Sequence, residues 1–134
     1  MGRLSGHVAF VSGAAQGMGA AHARRLAAEG ALVAVNDRVA SPALDELAHE
    51  IGGLPVPDDM ADREAVFAGL DRASEHLGDV DIVVANHAYM SMSDFLDHDE
   101  DDWWRVIDTN LGGTFWLIQA ALPRMRRRGA GRVV

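Results

Sequence analysis

The segment Ser12-Gly13-Ala14-Ala15-Gln16-Gly17-Met18-Gly19 lies between two unlike patterns. Before it, His7-Val8-Ala9-Phe10-Val11 is a short apolar run that reads as a buried strand. After it, Ala20 to Glu29 is Ala-rich, contains Leu26 and closes on Gly30, the pattern of a helix with its stop signal. A glycine-rich turn from strand into helix is a place where a nucleotide's diphosphate can dock. The first backbone N–H groups of the helix lack internal partners, and the helix dipole favours negative charge there. Gly13 suits the tight turn, Gly17 a close backbone approach and Gly19 the contact between helix and strand. Gln16 and Met18 fall inside the same turn.

Such a turn also joins many strands and helices that bind nothing, so the next elements carry weight. Ala31-Leu32-Val33-Ala34-Val35 is a second apolar run. It ends in Asn36-Asp37, and Asp37 stands 18 positions after Gly19. An acid about 20 residues beyond such a turn accepts hydrogen bonds from adenosine ribose hydroxyls. Its ordinary structural alternative is a helix cap or turn residue.

Strand and helix patterns alternate along the rest of the chain. Ser41-Pro42 opens a short helix over 43–50, with Ser at the cap and Pro at the first position, and Gly52-Gly53 ends it. Leu54-Pro55-Val56-Pro57 is a short strand that its prolines assign to a sheet edge. Asp62 caps a helix reaching Leu77, and Val80 to Ala85 is a nearly continuous apolar strand, as expected of one buried on both faces. A loop to about Glu100 precedes a long helix from Asp101 to Arg127, and Arg132-Val133-Val134 starts one more strand. This alternation predicts an α/β fold: a doubly wound parallel sheet with right-handed crossovers, incomplete at four strands and the start of a fifth.

Composition removes several kinds of chemistry. The 134 residues contain no cysteine, which excludes disulfides, thiolate metal sites and thiol catalysis. All 12 cationic side chains other than histidine are arginine, so no lysine base, Schiff base or phosphate clamp is available. A net charge of −8 argues against nucleic acid as a partner. No run approaches the ~18 apolar residues of a membrane span. The N-terminus is too short and polar for a signal peptide, so a cytoplasmic location is expected. The acids from Asp94 to Asp102 could suggest a metal, but a helix start favoured by the dipole is the better reading. The arginines at 124 and 126–128 read as a helix end, and the Trp103-Trp104 pair as core and interface rather than a stacking platform. His7, His22, His49 and His76 have no metal spacing, and no metal site is expected.

With these motifs in order, the chain resembles the first half of a short-chain dehydrogenase/reductase, from about Gly6 to Val134. The resemblance implies a Rossmann-type fold that transfers hydride between NAD(P) and an alcohol or ketone. The family's Thr-Gly-x-x-x-Gly-x-Gly loop corresponds to Ser12 through Gly19, with Ser12 keeping the hydroxyl. Asp37 corresponds to the acid that favours NAD by repelling a 2′-phosphate. Arg38 beside it is a residue type that accommodates NADP, the less favoured cofactor. Asp59-Met60 corresponds to the pair whose Asp meets the adenine amino group. The family's Asn-Asn-Ala-Gly stands here as Ala85-Asn86-His87-Ala88; Asn86 survives, and His87 and Ala88 depart from a turn that normally uses glycine.

Asn110 corresponds to the family's catalytic asparagine, which holds a water linking the active-site lysine to solvent. Its ordinary alternative is a buried Asn bonded to nearby backbone. The resemblance also implies that the long helix packs against a following helix and a partner subunit, giving a homo-oligomer. The family's Ser, Tyr and Lys are absent, and Tyr89 is the single tyrosine. Residues 1–134 are therefore expected to be a half-domain truncated before the Tyr-x-x-x-Lys segment and inactive alone. Two alternatives stay open: a non-catalytic truncated or split-gene product that binds nucleotide or another subunit, and a nucleoside-cofactor methyltransferase.

Overall fold

The computed structural model describes residues 2–134. Its sheet contains β1 (Val8–Val11), β2 (Leu32–Asp37), β3 (Leu54–Pro57), β4 (Ile82–Val84) and β5 (Arg132–Val133), all parallel, in the order β3-β2-β1-β4-β5. The connections are α1 (Gly17–Ala28), α2 (Pro42–Ile51), α3 (Arg63–Leu77) and a long final helix. The order of the first four strands reverses beside β1. This is the topological switch point at which α/β sheets open a crevice beyond their strand ends.

The central strands β1 and β4 bury both faces because helices cover both sides, while β5 at the edge is exposed. Along β1, Val8 and Phe10 join a core layer with Val66 and Leu70 of α3 and Leu117 and Met125 of the last helix. Ala9 and Val11 join the opposite layer with Ala20 and Ala23 of α1 and Leu44 and Leu47 of α2. That alternation is the two-residue period of a strand, read by two different helix pairs.

The caps lie where the sequence predicts. Ser41 Oγ accepts from Leu44 N–H at 3.2 Å, and Asp62 accepts from Glu64 and Ala65 N–H at 2.9 and 3.2 Å. Gly52 ends α2 in the left-handed conformation, φ +63°. At the end of the sheet opposite the crevice, the buried Asp81 accepts from Val8 N–H (2.9 Å), His7 Nδ1 (2.7 Å) and Arg128 Nε (3.0 Å). A carboxylate so deeply placed requires such partners, and it ties the starts of β1 and β4 to the helix end.

Two expectations are corrected. The long helix does not wind uniformly: α4 (Glu100–Val106) passes through a π-helical segment, Ile107–Gly112, into α5 (Gly113–Arg128). Trp103 and Trp104 are both about half exposed and belong to neither core layer, so the core part of the expectation does not hold. Three of the final arginines pair with carboxylates, Arg124 with Asp71, Arg127 with Asp79 and Arg128 with Asp81. Asp99 caps α4 by accepting from the N–H groups of Asp101 and Asp102. Among the described residues no helix is long and apolar enough to cross a membrane.

Candidate cofactor cleft

A cleft of about 460 Å³ opens beyond the C-terminal ends of β1, β2 and β4. Its wall brings together Gly13, Gln16, Gly17 and Met18 from the first turn and the start of α1, Asp37 from the end of β2, Asp59 and Met60 from the connection after β3, and Asn86 from that after β4. Gly13 and Gly17 have φ of +63° and +58°, a region costly for residues with a Cβ. A Cβ on Gly17 would meet nothing within 4 Å, so the backbone there faces open space. Gln16 provides no side-chain cap, and the first turn of α1 carries no acid. The opening amides of α1 are therefore left for an anion.

Ser12, Gly19 and the Met60 side chain stand behind the wall. A Cβ on Gly19 would lie 2.1 Å from the Gly13 carbonyl oxygen, so glycine is what lets α1 approach the turn. Met60 is 3 % exposed and packs into the core, leaving its backbone at the cleft. Ser12 is fully buried, and its Oγ accepts from the N–H groups of Asn86 (3.1 Å) and His87 (3.2 Å). Asn86 Nδ2 donates to the Gly13 carbonyl at 3.0 Å. These bonds clamp the end of β4 to the turn, and His87 and Ala88 need no glycine there because neither takes a positive φ.

Asp37 Oδ2 accepts from Ala15 N–H (3.0 Å) and Oδ1 from Arg38 N–H (2.8 Å). A carboxylate offers about four acceptor positions, so capacity remains for ligand hydroxyls. Asp59 Oδ1 accepts from Ala61 N–H at 3.0 Å. Asn36, also in the wall, donates through Nδ2 to the carbonyls of Val56 and Asp58, at 2.8 and 2.9 Å. Its Oδ1 is buried without a partner. An anion-ready turn, acceptors at the end of β2 and an unpaired acceptor in the wall fit an adenine dinucleotide.

Asn110 is exposed, contrary to a buried alternative, yet it does bond backbone. Its Oδ1 accepts from Tyr89 N–H at 2.7 Å and its Nδ2 donates to the Tyr89 carbonyl at 2.9 Å. Tyr89 is held further by its hydroxyl, which donates to Asp102 at 2.5 Å, and by Arg105 stacked 4.5 Å from the ring centre. The bond to Asp102 raises the phenol above its ordinary range, the wrong direction for a tyrosine acid/base working near neutrality. Sequence reasoning gave no cleft role to Asn36, Tyr89, Arg105 or Thr109, because their assembly depends on how the loop after β4 folds onto α4.

His87 is the other residue whose role only the fold reveals. Its Nε2 lies 3.0 Å from the Thr109 carbonyl, which can only accept, so Nε2 carries the proton. Its Nδ1 lies 2.6 Å from Ser12 Oγ. Burial lowers its pKa below the usual imidazole value, against a smaller opposing pull from the Thr109 carbonyl and the Asp59 charge.

Comparison with known proteins agrees with this arrangement. The family model described as short chain dehydrogenase matches residues 7–134. Oxidoreductase UcpA of Escherichia coli (strain K12) is 37 % identical over 139 residues, covering 100 % of this chain and 52 % of its own length. The 3-alpha-(or 20-beta)-hydroxysteroid dehydrogenase of Mycobacterium bovis is 34 % identical over 139 residues, covering 99 % of this chain and 52 % of its own. A short-chain type dehydrogenase/reductase from Mycobacterium marinum superposes with a TM-score of 0.89 at 38 % identity, over 97 % of this chain and 55 % of that one. The chain spans about half the length of the curated relatives it matches. A family-model match over residues 7–134, together with that superposition, shows that the chain belongs to the short-chain dehydrogenase/reductase family and carries its N-terminal region.

Proposed function

We propose that this chain is the cofactor-binding half of an NAD-preferring oxidoreductase acting on secondary alcohols or ketones, and that alone it does not turn over. The cleft at the sheet's switch point carries the reading: uncapped α1 amides face an opening bordered by Asp37 and Asp59. The amides of the 13–19 turn would hold a diphosphate, Asp37 the ribose hydroxyls and Asp59 with the Met60 backbone the adenine edge. The charge on Asp37 disfavours a 2′-phosphate and so favours NAD over NADP. When bound, a nicotinamide cofactor supplies the hydride acceptor or donor. Two relatives are named for hydroxylated ring substrates, a hydroxycyclohexanecarboxylate and a hydroxysteroid, which suits an alcohol/ketone couple.

The proton step needs a group that this sequence lacks. Tyr89 is engaged by Asp102 and Arg105, and no lysine is present to lower its pKa. Asn110 would position the loop after β4 through Tyr89. A homo-oligomer through the long helix belongs to the same reading.

Fluorescence titration with NADH and NADPH tests it. NADH should bind at least several-fold more tightly, with no turnover on a panel of secondary alcohols. Activity should return when a segment bearing Tyr-x-x-x-Lys is supplied. Binding of S-adenosylmethionine and of neither dinucleotide would overturn the assignment.

A further inference from the structure

His87 stands in the cleft wall, yet both its ring nitrogens are used on protein. One meets Ser12, where the phosphate-binding turn leaves β1; the other meets the Thr109 carbonyl on the last helix. The two partners are 97 residues apart in the chain. Hydrogen-bond valence selects one arrangement. Ser12 Oγ already accepts from two N–H groups, and a hydroxyl has two acceptor positions and one proton. Two acceptors lie within reach of that proton, Nδ1 at 2.6 Å and the Val84 carbonyl at 3.2 Å. The shorter contact needs a proton between its atoms that the ring cannot give to a filled Oγ, so the hydroxyl turns to Nδ1, while Nε2–H donates to Thr109. A second ring proton would ask Oγ to accept three times.

The far end of this bridge is also built for it. In the π-helical segment, Gly113 N–H reaches back five residues to Asp108. The next carbonyl, that of Thr109, is the one His87 meets, and π insertions leave carbonyls open for such partners. The space for the ring exists because residue 113 is glycine: a Cβ there would lie 2.7 Å from His87 Nε2. One residue on from Thr109, Asn110 grips the backbone of Tyr89.

We propose that His87 is a positioning residue whose imidazole joins the phosphate-binding turn to the helical segment carrying Asn110, so that filling the cleft and setting Asn110 are coupled. The coupling rests on the dinucleotide reading of the cleft; the bridge itself does not. It acts through Ser12 and Thr109, without touching a ligand.

Amide hydrogen exchange on the complete chain, with NADH as probe, tests the coupling. In the parent protein NADH should slow exchange in two places, the 13–19 turn and residues 109–114. In His87→Ala, NADH should still bind, about tenfold more weakly. The slowing should persist at the turn and vanish at 109–114. A purely structural role would lower Tm and leave that second response in place, which would overturn the proposal. Binding of NADH to the parent without any response at 109–114 removes the coupling alone. Failure to bind NADH or NADPH removes the dinucleotide reading and the coupling with it.

Nitrogen NMR on the unsubstituted protein reads the bridge even where His87→Ala fails to fold. A neutral ring at pH 7, protonated on Nε2 with Nδ1 accepting, is expected. A charged ring, or one protonated on Nδ1, would overturn the bridge.

Discussion

Gly19 does its work by what it lacks. The α1 backbone touches the turn so closely that one methyl group would overlap the Gly13 carbonyl, 2.1 Å away. Gly19→Ala should destabilise the fold by about 1–3 kcal/mol, the usual range for overpacking, and weaken dinucleotide binding by moving the turn. Urea unfolding and NADH titration read the two effects separately. His87 makes the opposite kind of demand, since it is useful only while neutral. Its folded pKa lies below the unfolded value of ~6.5, so the unfolded chain takes up more protons as pH falls. The associated stability is complete above ~6.5 and declines as pH drops toward the folded pKa. The Asp59 charge works against this shift without reversing it. Unfolding midpoints measured from pH 7.5 to 5 should fall for the parent protein and fall less for His87→Gln.

Among the elements, α2 behaves as propensity alone dictates. Ser41 caps it, Pro42 starts it and Gly52 ends it in the left-handed region. Ser41→Ala should cost about 1 kcal/mol, visible as a shift in the urea midpoint with an unchanged slope. The last helix does not follow propensity so simply. Apolar spacing and a terminal arginine cluster announce a helix of this length, and a helix is found. Nothing in local sequence marks the change of winding over Ile107–Gly112, because a π insertion is stabilised by partners outside the helix. Those partners are His87 on the Thr109 carbonyl and the Tyr89 backbone on Asn110. Replacing Asn110 by Ala should therefore loosen the 86–94 loop, seen as faster exchange at the Tyr89 amide, while the five-stranded sheet keeps its protection.

At the scale of the whole chain, the central strands are covered on both faces, while the edge strand β5 and part of the last helix are not. Leu111, Phe115 and Leu122 are 67 %, 53 % and 44 % exposed, beside the half-exposed tryptophans. Apolar surface of that extent seeks a partner. The 134-residue chain by itself should self-associate as concentration rises, and Leu111→Ser with Phe115→Ser should shift sedimentation toward monomer without lowering Tm.

Residue order alone decided the parallel α/β architecture, the edge position of the proline-bearing β3, the caps and the anion-ready turn. Each follows from local periodicity or from the steric limits of glycine and proline. Spacing after the turn also carried Asp37 as a candidate residue, whereas Asp59, Asn86 and Asn110 entered only through the resemblance to the short-chain dehydrogenase/reductases. Tertiary packing decided that Ser12, Gly19 and the Met60 side chain support the cleft from behind. It also decided that Trp103 and Trp104 stay outside the core, and that His87 bridges two segments far apart in the chain. The reason is physical: strand and helix periods are set by neighbours a few residues away, whereas a hydrogen-bond partner 22 residues distant, such as Thr109 for His87, exists only after the chain has closed.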